Sequence, residues 1–389
     1  MQTKTNSCII FSDVEPDDVG TLGIFMLLVK KGLIKVPMIV VGEGLEQHVR
    51  SKCAIVQYML NLFGLTDIKL MCISATGYDW FPKTEYINSL FPVDQTVDSL
   101  TKNFKDVYGT DKVFGEMFQM ISRGDINTFV SIMNHSVLID FEKHVISNTG
   151  NSLLLKSITL CSYGSFNFRR LGKNQEMLIE HLDLYKDVHI GEAHHAFGQQ
   201  NSINSTDHPE FFDFSEKTTD KSFKIILELF KKFSRVWDKL VNDDAYESVV
   251  SVIKKRKLVD DVESINSNDL LTVAPQAIEK FKRTIEQTTD EVILPGLTKD
   301  LGYIERNFKA YRSTLPKPGY QTVFADYLTA MIVSGVIDKY RVQKYIHFEN
   351  AYTTLSDEPN TSVHQTKSKH NIYTNIGLDV GVGLLMSIM

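Results

Sequence analysis

The first 80 residues alternate between short β-branched runs and segments in which apolar residues recur at helical spacing. The runs are CIIF (8–11), KVPMIVVGEG (35–44) and DIKLMCIS (67–74), and the helical segments between them are 17–32 and 46–65. Strand and helix signals that alternate in this way predict βαβ units. We therefore expect an α/β fold with an open, mostly parallel sheet that is flanked by helices.

The rest of the chain extends this pattern and interrupts it once. Strand signals return in SLLLKSITLCSYGS (152–165) and DVHIGEAHH (187–195), whereas residues 80–150 are aromatic and polar by turns and predict a cover over the sheet or a lid. Residues 216–310 are strongly helical and charged. Charge runs of this kind are typical of solvated helix faces. We predict a single domain over 1–389 with a helical insertion or subdomain at 216–310.

The charge and hydropathy of the chain limit the kinds of partner that it can be expected to bind. The formal net charge is −6, and Lys and Arg are scattered along the chain. Such a chain presents no basic footprint for nucleic acid or for an anionic membrane, so a small-molecule partner is expected. No apolar stretch reaches the length of a membrane span, and MQTKTNS at the start lacks the apolar core of a signal peptide. These features predict a cytoplasmic protein and leave homo-oligomerisation open.

The four cysteines, at positions 8, 53, 72 and 161, lie far apart, and three of them stand inside apolar runs. Spacing of this kind is typical neither of a disulfide framework nor of a zinc site. The sequence therefore predicts buried free thiols in a reducing compartment.

Four carboxylates, Asp13, Glu15, Asp17 and Asp18, follow the first predicted strand within six positions. Acidic residues in a first helical turn accept free backbone N–H groups and meet the positive end of the helix dipole, but one or two are enough for that. Four would repel one another and raise their pKa values unless a cation neutralised them. Four carboxylates in six positions therefore favour a site for a hard divalent cation over helix capping alone. Ca²⁺ and Mg²⁺ are the candidates, because both prefer oxygen ligands.

The segment from Asp13 to Asp18 resembles the N-terminal fingerprint of the nucleoside hydrolases, an Asp followed four and five residues later by an Asp pair. This segment is most similar to that of the divergent nucleoside hydrolase-like branch, in which a Glu precedes the Asp pair. Further segments resemble the family in the right order along the chain. They are MIVVGEG (38–44), SITLCSYGSFNF (157–168), 187–214, VFADYLTAMIV (323–333) and IGLDVGVGLLMSIM (376–389).

The resemblance implies a Rossmann-like nucleoside hydrolase fold and hydrolysis of the N-glycosidic bond of a ribonucleoside or related riboside, with tightly held Ca²⁺. By match, the cation ligands are Asp13, Asp18, Asp326 and the main-chain carbonyl of Tyr163. A hard cation lowers the pKa of water, and Asp13 would then take the proton as general base. Asp17 would hydrogen-bond the ribose hydroxyls.

The remaining candidates come from less direct matches. Glu43 stands where the family has Asn, and the ribose loop offers Asn204 and Asp207 as substrate-binding residues. Ala325 replaces the family's leaving-group His, so His194 and His195 become the candidate proton donors. These departures keep open an alternative reading, a catalytically altered or inactive scaffold that binds a nucleoside-derived ligand or a protein.

A second alternative is a Mg²⁺-dependent phosphotransferase or phosphatase with an Asp after its first strand. That chemistry usually requires Asp-x-Asp followed closely by Thr, whereas Val14 and Glu15 follow Asp13 here. The chain also lacks the Gly-x-Gly-x-x-Gly frame and the P-loop Lys of phosphate-binding loops. The sequence therefore favours riboside hydrolysis over phosphoryl transfer.

Overall fold

The computed structural model describes residues 6–73, 81–102, 110–163, 167, 180–191, 202–204, 206–213, 218–259, 269–313, 321–323, 326–349, 352–358, 368–374 and 376–389. Two compact units share the chain, one formed by 1–233 with 319–389 and the other by 234–318. The sequence predicts the helical insertion at 216–310, whereas the second unit spans 234–318. A single domain with an insertion therefore stays a prediction.

The strands are β1 (Asn6–Ser12), β2 (Ile34–Val41), β3 (Lys69–Cys72), β4 (Thr128–Ile132), β5 (Thr159–Tyr163), β6 (Asp187–Gly191), β7 (Ser202–Asn204), β8 (Gln321–Val323), β9 (Arg341–Glu349), β10 (Tyr352–Ser356) and β11 (His370–Tyr373). Nine of them form one sheet in the order β10-β9-β11-β6-β5-β4-β1-β2-β3, and β7 pairs with β8. From β11 to β3 all neighbours are parallel, whereas β9 pairs antiparallel with both β11 and β10. The predicted fold class is confirmed.

The helices of the first unit are α1 (Pro16–Lys30), α2 (Glu46–Phe63), α3 (Thr84–Asn88), α4 (Val97–Leu100), α5 (Thr110–Ser122), α6 (Ser136–Thr149), α7 (Pro209–Phe212), the start of α8 (Lys221–Arg256), α11 (Tyr327–Ser334) and α12 (Leu378–Ile388). Short 3₁₀ turns lie at Leu155–Ser157 and Asp338–Tyr340. The sheet residues Phe11 and Phe129 meet edge to face at 5.3 Å between ring centroids, and Phe141 of α6 packs on Phe129 at 5.9 Å. Burial of such large rings on the sheet supplies much of the free energy that holds these helices.

The second unit contains the remainder of α8 together with α9 (Leu270–Glu286) and α10 (Leu294–Ser313). Its own apolar core includes Val249, Ile253, Phe281 and Ile304, all at most 1% exposed. Across the described ranges of the whole chain, no helix has both the length and the apolar character needed to cross a bilayer.

Two predictions about the first unit are wrong. Residues 80–150 do more than cover the sheet or form a lid, because they contain β4, which lies between β1 and β5. Cys53 of α2 and Cys72 of β3 are joined in a disulfide with Cα atoms 6.7 Å apart, while Cys8 and Cys161 are buried free thiols. The two bonded cysteines are 19 residues apart in sequence, and only the packing of α2 against β3 brings them together.

The close approach of α1 and α11 depends on Gly20. A Cβ added at Gly20 would stand 2.0 Å from the hydroxyl oxygen of Tyr327, whose side chain is buried. Gly20→Ala is therefore expected to destabilise the fold by about 1–3 kcal/mol through overpacking. Thermal unfolding measures the change. Gly383→Ala, at an exposed position of α12 where an added Cβ would meet no atom beyond its own helical turn within 4 Å, is the control, with an expected gain of about 0.5–1 kcal/mol.

Candidate active site

The register of the parallel strands brings several chain segments to one edge of the sheet. Ser12, the last residue of β1, pairs with Val41 of β2 and Ile132 of β4, and Ser131 of β4 pairs with Ser162 of β5. The carboxyl ends of these strands therefore lie side by side. Ligands of open α/β sheets bind outside this edge, so the residues that follow the strands are the first candidates for a site.

The turn after β1 is built around Ser12 and Asp18. The Ser12 hydroxyl donates to Asp18 Oδ1 at 2.6 Å, and its oxygen accepts the Val14 N–H at 3.0 Å. Asp18 Oδ2 accepts the Glu15 N–H at 3.1 Å, and Glu15 and Asp18 form a reciprocal capping box at the start of α1. Glu15 thus caps a helix, and Ser12 is a site residue that sequence reasoning missed, although it directly precedes Asp13.

The backbone is strained in this turn and in the one after β2. Val14 is fully buried with a φ of +53°, and Glu43 after β2 has a φ of +64°. Left-handed backbone is unfavourable for side chains other than Gly, Asn and Asp, and most of all for a β-branched residue. Two such residues follow two adjacent strands at the same edge. Local strain of this kind clusters at functional sites, where the surrounding fold holds it in place.

A carboxylate cluster forms where the start of α1 meets the start of α11. One oxygen each from Asp17, Asp18 and Asp326 lies within 4.8 Å of the others. Asp18 and Asp326 are at most 6% exposed and Asp17 is half-buried. Asp326 is the N-cap residue of α11, so the cluster joins residues more than 300 positions apart. We call Asp17, Asp18 and Asp326 the acidic cluster.

Burial and mutual repulsion act on the acidic cluster together. Burial, followed by the charge of Asp13, raises the pKa of Asp17 to about 6. The pKa of Asp18 is raised well above its usual value by burial and then by Asp13, and that of Asp326 by burial and then by Asp17. Asp13 itself is 5% exposed and, among the described residues, lies outside the group of mutually close oxygens. Keeping these carboxylates ionised therefore costs free energy unless a positive charge lies close to them.

The other predicted site residues are distributed as follows. Tyr163 ends β5 at the same sheet edge, and Glu43 is buried with its carbonyl accepting Lys52 Nζ at 3.0 Å. Asp207 is exposed, and Asn204 ends the short strand β7. His194, His195 and Ala325 lie outside the described residues.

Without divalent cations, the protein is expected to become more stable as the pH falls from about 7.5 to about 5. The pKa of Asp17 is about 6 in the folded chain against 3.8 ordinarily, so the folded state holds this proton more readily. The stabilisation is complete below pH 3.8 and is lost as the pH rises through about 6. It amounts to roughly 1 kcal/mol at pH 5 relative to pH 7.5.

Urea unfolding in EDTA at these two pH values measures this dependence. The Asp17→Asn variant is the control, because it lacks the titrating carboxyl and should lose this part of the dependence. A wild-type difference that equals that of Asp17→Asn would contradict the assignment.

Comparison with known proteins identifies the fold. No protein-family model and no curated protein matches the sequence. Among solved structures, an inosine-guanosine nucleoside hydrolase superposes with a TM-score of 0.50 and 12% identity, covering 99% of this chain and 98% of that one. At that identity the likeness shows the fold alone, which is the nucleoside hydrolase-like α/β fold.

Two effector structures were also matched. The type III effector protein XopQ complexed with adenosine diphosphate ribose gives a TM-score of 0.47 at 11% identity, covering 100% of this chain and 94% of that one. The effector protein XOO4466 gives 0.46 at 11% identity, covering 100% and 93%.

Proposed function

We propose that this chain is a metal-dependent hydrolase that cleaves the N-glycosidic bond of a ribonucleoside or related riboside, with water activated by Asp13. The observation that carries the proposal is the acidic cluster at the starts of α1 and α11, with oxygens within 4.8 Å of one another, on the fold of an inosine-guanosine nucleoside hydrolase. The proposed cation is Ca²⁺, held by Asp13, Asp18, Asp326 and the Tyr163 carbonyl.

The donor set suits a hard divalent cation. Ca²⁺ takes oxygen ligands at about 2.3–2.6 Å, so two oxygens on one ion lie at most about 5 Å apart. The mutual distances in the acidic cluster fall within that limit. The raised pKa values of Asp18 and Asp326 indicate carboxylates that gain free energy from a positive partner. Asp17 meets the same geometric condition, so it competes with Asp13 for the role of ligand.

Each carboxylate has its own role in the proposed reaction. A bound divalent cation supplies Lewis acidity that lowers the pKa of water at the site. Asp13 accepts the proton of the attacking water. Asp17 accepts hydrogen bonds from ribose hydroxyls and so orients the sugar. The ribose gains positive charge as the base departs, and the nearby carboxylates stabilise that charge best where burial excludes water.

Proton delivery to the departing base is assigned to the segment that contains His194 and His195, because Ala325 stands where the related enzymes have His. Histidine suits this role since its pKa lies near neutrality. In the same proposal Glu43, Asn204 and Asp207 contact the substrate, which is a soluble riboside encountered in the cytoplasm.

A product screen tests the proposed reaction. Purified protein is incubated with nucleosides and nucleotide-derived ribosides in Ca²⁺ or EDTA, and free ribose and free base are measured. We expect release that depends on the cation. Absence of release from every riboside, combined with calorimetric binding of one of them, would instead support the binding scaffold that the departures at Glu43 and Ala325 left open.

A further inference from the structure

Five buried side chains form a continuous hydrogen-bonded chain that the proposed mechanism does not use. His135 Nδ1 lies 2.7 Å from His181 Nε2, and His135 Nε2 lies 2.6 Å from the Ser162 hydroxyl oxygen. At the other end, His181 Nδ1 contacts Glu142 Oε1, which also accepts the Tyr185 hydroxyl at 2.6 Å. All five side chains belong to residues at most 4% exposed.

The donors and acceptors can be ordered from the Glu142 end. Burial, and then the charge of Glu142, raises the pKa of Tyr185 well above its usual value, so its hydroxyl stays protonated and donates. Burial, and then His181, holds the pKa of His135 well below its usual value, so His135 is neutral. A neutral imidazole has one N–H donor and one acceptor nitrogen. Each link of the chain therefore determines the next.

With Glu142 as a carboxylate and a single proton on each imidazole, the order runs in one direction. Glu142 accepts from His181 Nδ1–H, which leaves His181 Nε2 as an acceptor. His135 must then donate from Nδ1, which leaves His135 Nε2 as an acceptor. The remaining donor is the Ser162 hydroxyl, whose proton points to His135.

This direction matters at Ser162 because its single proton has three neighbouring acceptors. They are His135 Nε2 at 2.6 Å, the Tyr163 carbonyl oxygen at 3.1 Å and the Ser131 carbonyl oxygen at 3.3 Å. A hydroxyl can donate to only one of them well. The choice decides whether the Tyr163 carbonyl receives a hydrogen bond from Ser162.

We propose that Glu142, acting through His181 and His135, is a positioning residue that turns the Ser162 hydroxyl toward His135 and away from the main-chain carbonyl of Tyr163. A carbonyl that does not accept this hydrogen bond is a better ligand for a cation. That consequence rests on the proposed function, in which Tyr163 contributes its carbonyl. The direction of the chain itself does not depend on it.

The first measurement is the tautomer of each histidine, read from side-chain ¹⁵N chemical shifts. We expect His135 and His181 both to carry the proton on Nδ1 in the wild type. The Nε2–H tautomer at His135 would overturn the proposal, because that nitrogen would then donate to Ser162. Tyr185→Phe is the matched control, since it removes one donor to Glu142 without reversing the chain, and both tautomers should remain.

The second measurement is the ¹³C chemical shift of the Tyr163 carbonyl. Tyr-Gly steps occur twice in the sequence, at 108 and 163, so labelling Tyr carbonyls with ¹³C and Gly with ¹⁵N gives two signals, and Tyr108→Phe removes the other. Ser162→Ala should leave the Tyr163 signal in place, because Ser162 does not donate to it. An upfield shift of the Tyr163 carbonyl signal in Ser162→Ala, the direction expected for a lost hydrogen bond, would overturn the proposal even if other variants fail to fold.

In Glu142→Gln the side chain keeps its size, and with its amide N–H facing His181 Nδ1 in place of Oε1 the direction of the chain reverses. Both histidines are then expected to become Nε2–H tautomers, and the Tyr163 carbonyl signal should move downfield as Ser162 turns toward it. Adding Ser162→Ala should cancel this movement. Reversed tautomers with an unmoved carbonyl signal would overturn the proposal.

Calorimetry with Ca²⁺ separates the two proposals. We expect Glu142→Gln to weaken Ca²⁺ binding several-fold and the added Ser162→Ala to restore it. A wild type that binds no Ca²⁺, together with the expected carbonyl response, would overturn the proposed cation site and still support the positioning role of Glu142. Equal Ca²⁺ affinity in the wild type and a reversed Glu142→Gln variant would overturn the link from carbonyl to cation.

Discussion

Asp13→Asn is expected to lower the rate of riboside hydrolysis by about 10²–10⁴-fold, the usual contribution of a positioned general base. The amide keeps the size of the side chain but cannot accept the proton of the attacking water. Asp13 is 5% exposed beside the acidic cluster, so no bulk water can take over its role efficiently. The measurement is kcat and KM on the best substrate of the product screen, at saturating Ca²⁺.

Two controls make this result interpretable. Asp140→Asn removes an exposed carboxylate that pairs with Lys143 on the surface of α6, and its rate should match the wild type. Circular dichroism and thermal unfolding should show that Asp13→Asn keeps its fold. Equal hydrolysis by Asp13→Asn and wild type would reject Asp13 as the base and transfer the role to another carboxylate.

Asp326→Asn is expected to change stability in opposite directions with and without a divalent cation. In EDTA, the neutral amide relieves the burial cost and the repulsion by Asp17, Asp13 and Glu15 that raise the pKa of this carboxyl. We expect a gain of about 1–3 kcal/mol in the free energy of unfolding, the scale of an uncompensated buried polar or charged group. In Ca²⁺ the wild type should gain about 2.7 kcal/mol at 100 times the dissociation constant, and the variant should lose most of that gain.

Chemical denaturation at neutral pH in EDTA and in Ca²⁺ measures both effects, with Asp140→Asn as the exposed carboxylate that should change neither. A wild type whose stability does not respond to Ca²⁺, Mg²⁺ or Mn²⁺ would argue against a cation at the acidic cluster. If Asp326→Asn were more stable than the wild type both in EDTA and in Ca²⁺, Asp326 would be excluded as a ligand of the cation.

Local patterns in the sequence were sufficient to predict the parallel sheet. β1, β2 and β3 and the helices between them follow from apolar runs and helical spacing, because those signals come from residues close together in the chain. β4 was missed although Thr128–Ile132 is fully buried, since a five-residue strand between two amphipathic helices carries little periodicity of its own. The Cys53–Cys72 bond was missed for a related reason, since helix packing across the sheet creates it.

The sequence by itself determined that carboxylates gather after the first strand, because Asp13, Asp17 and Asp18 stand in six consecutive positions. Only the tertiary structure decided how they are used. It brings Asp326 to within 4.8 Å of Asp17 and Asp18, uses Asp18 with Glu15 to cap α1, and buries the group until its pKa values rise. Burial and distance are properties of the packed chain, since residues 300 positions apart meet only when the helices dock on the sheet.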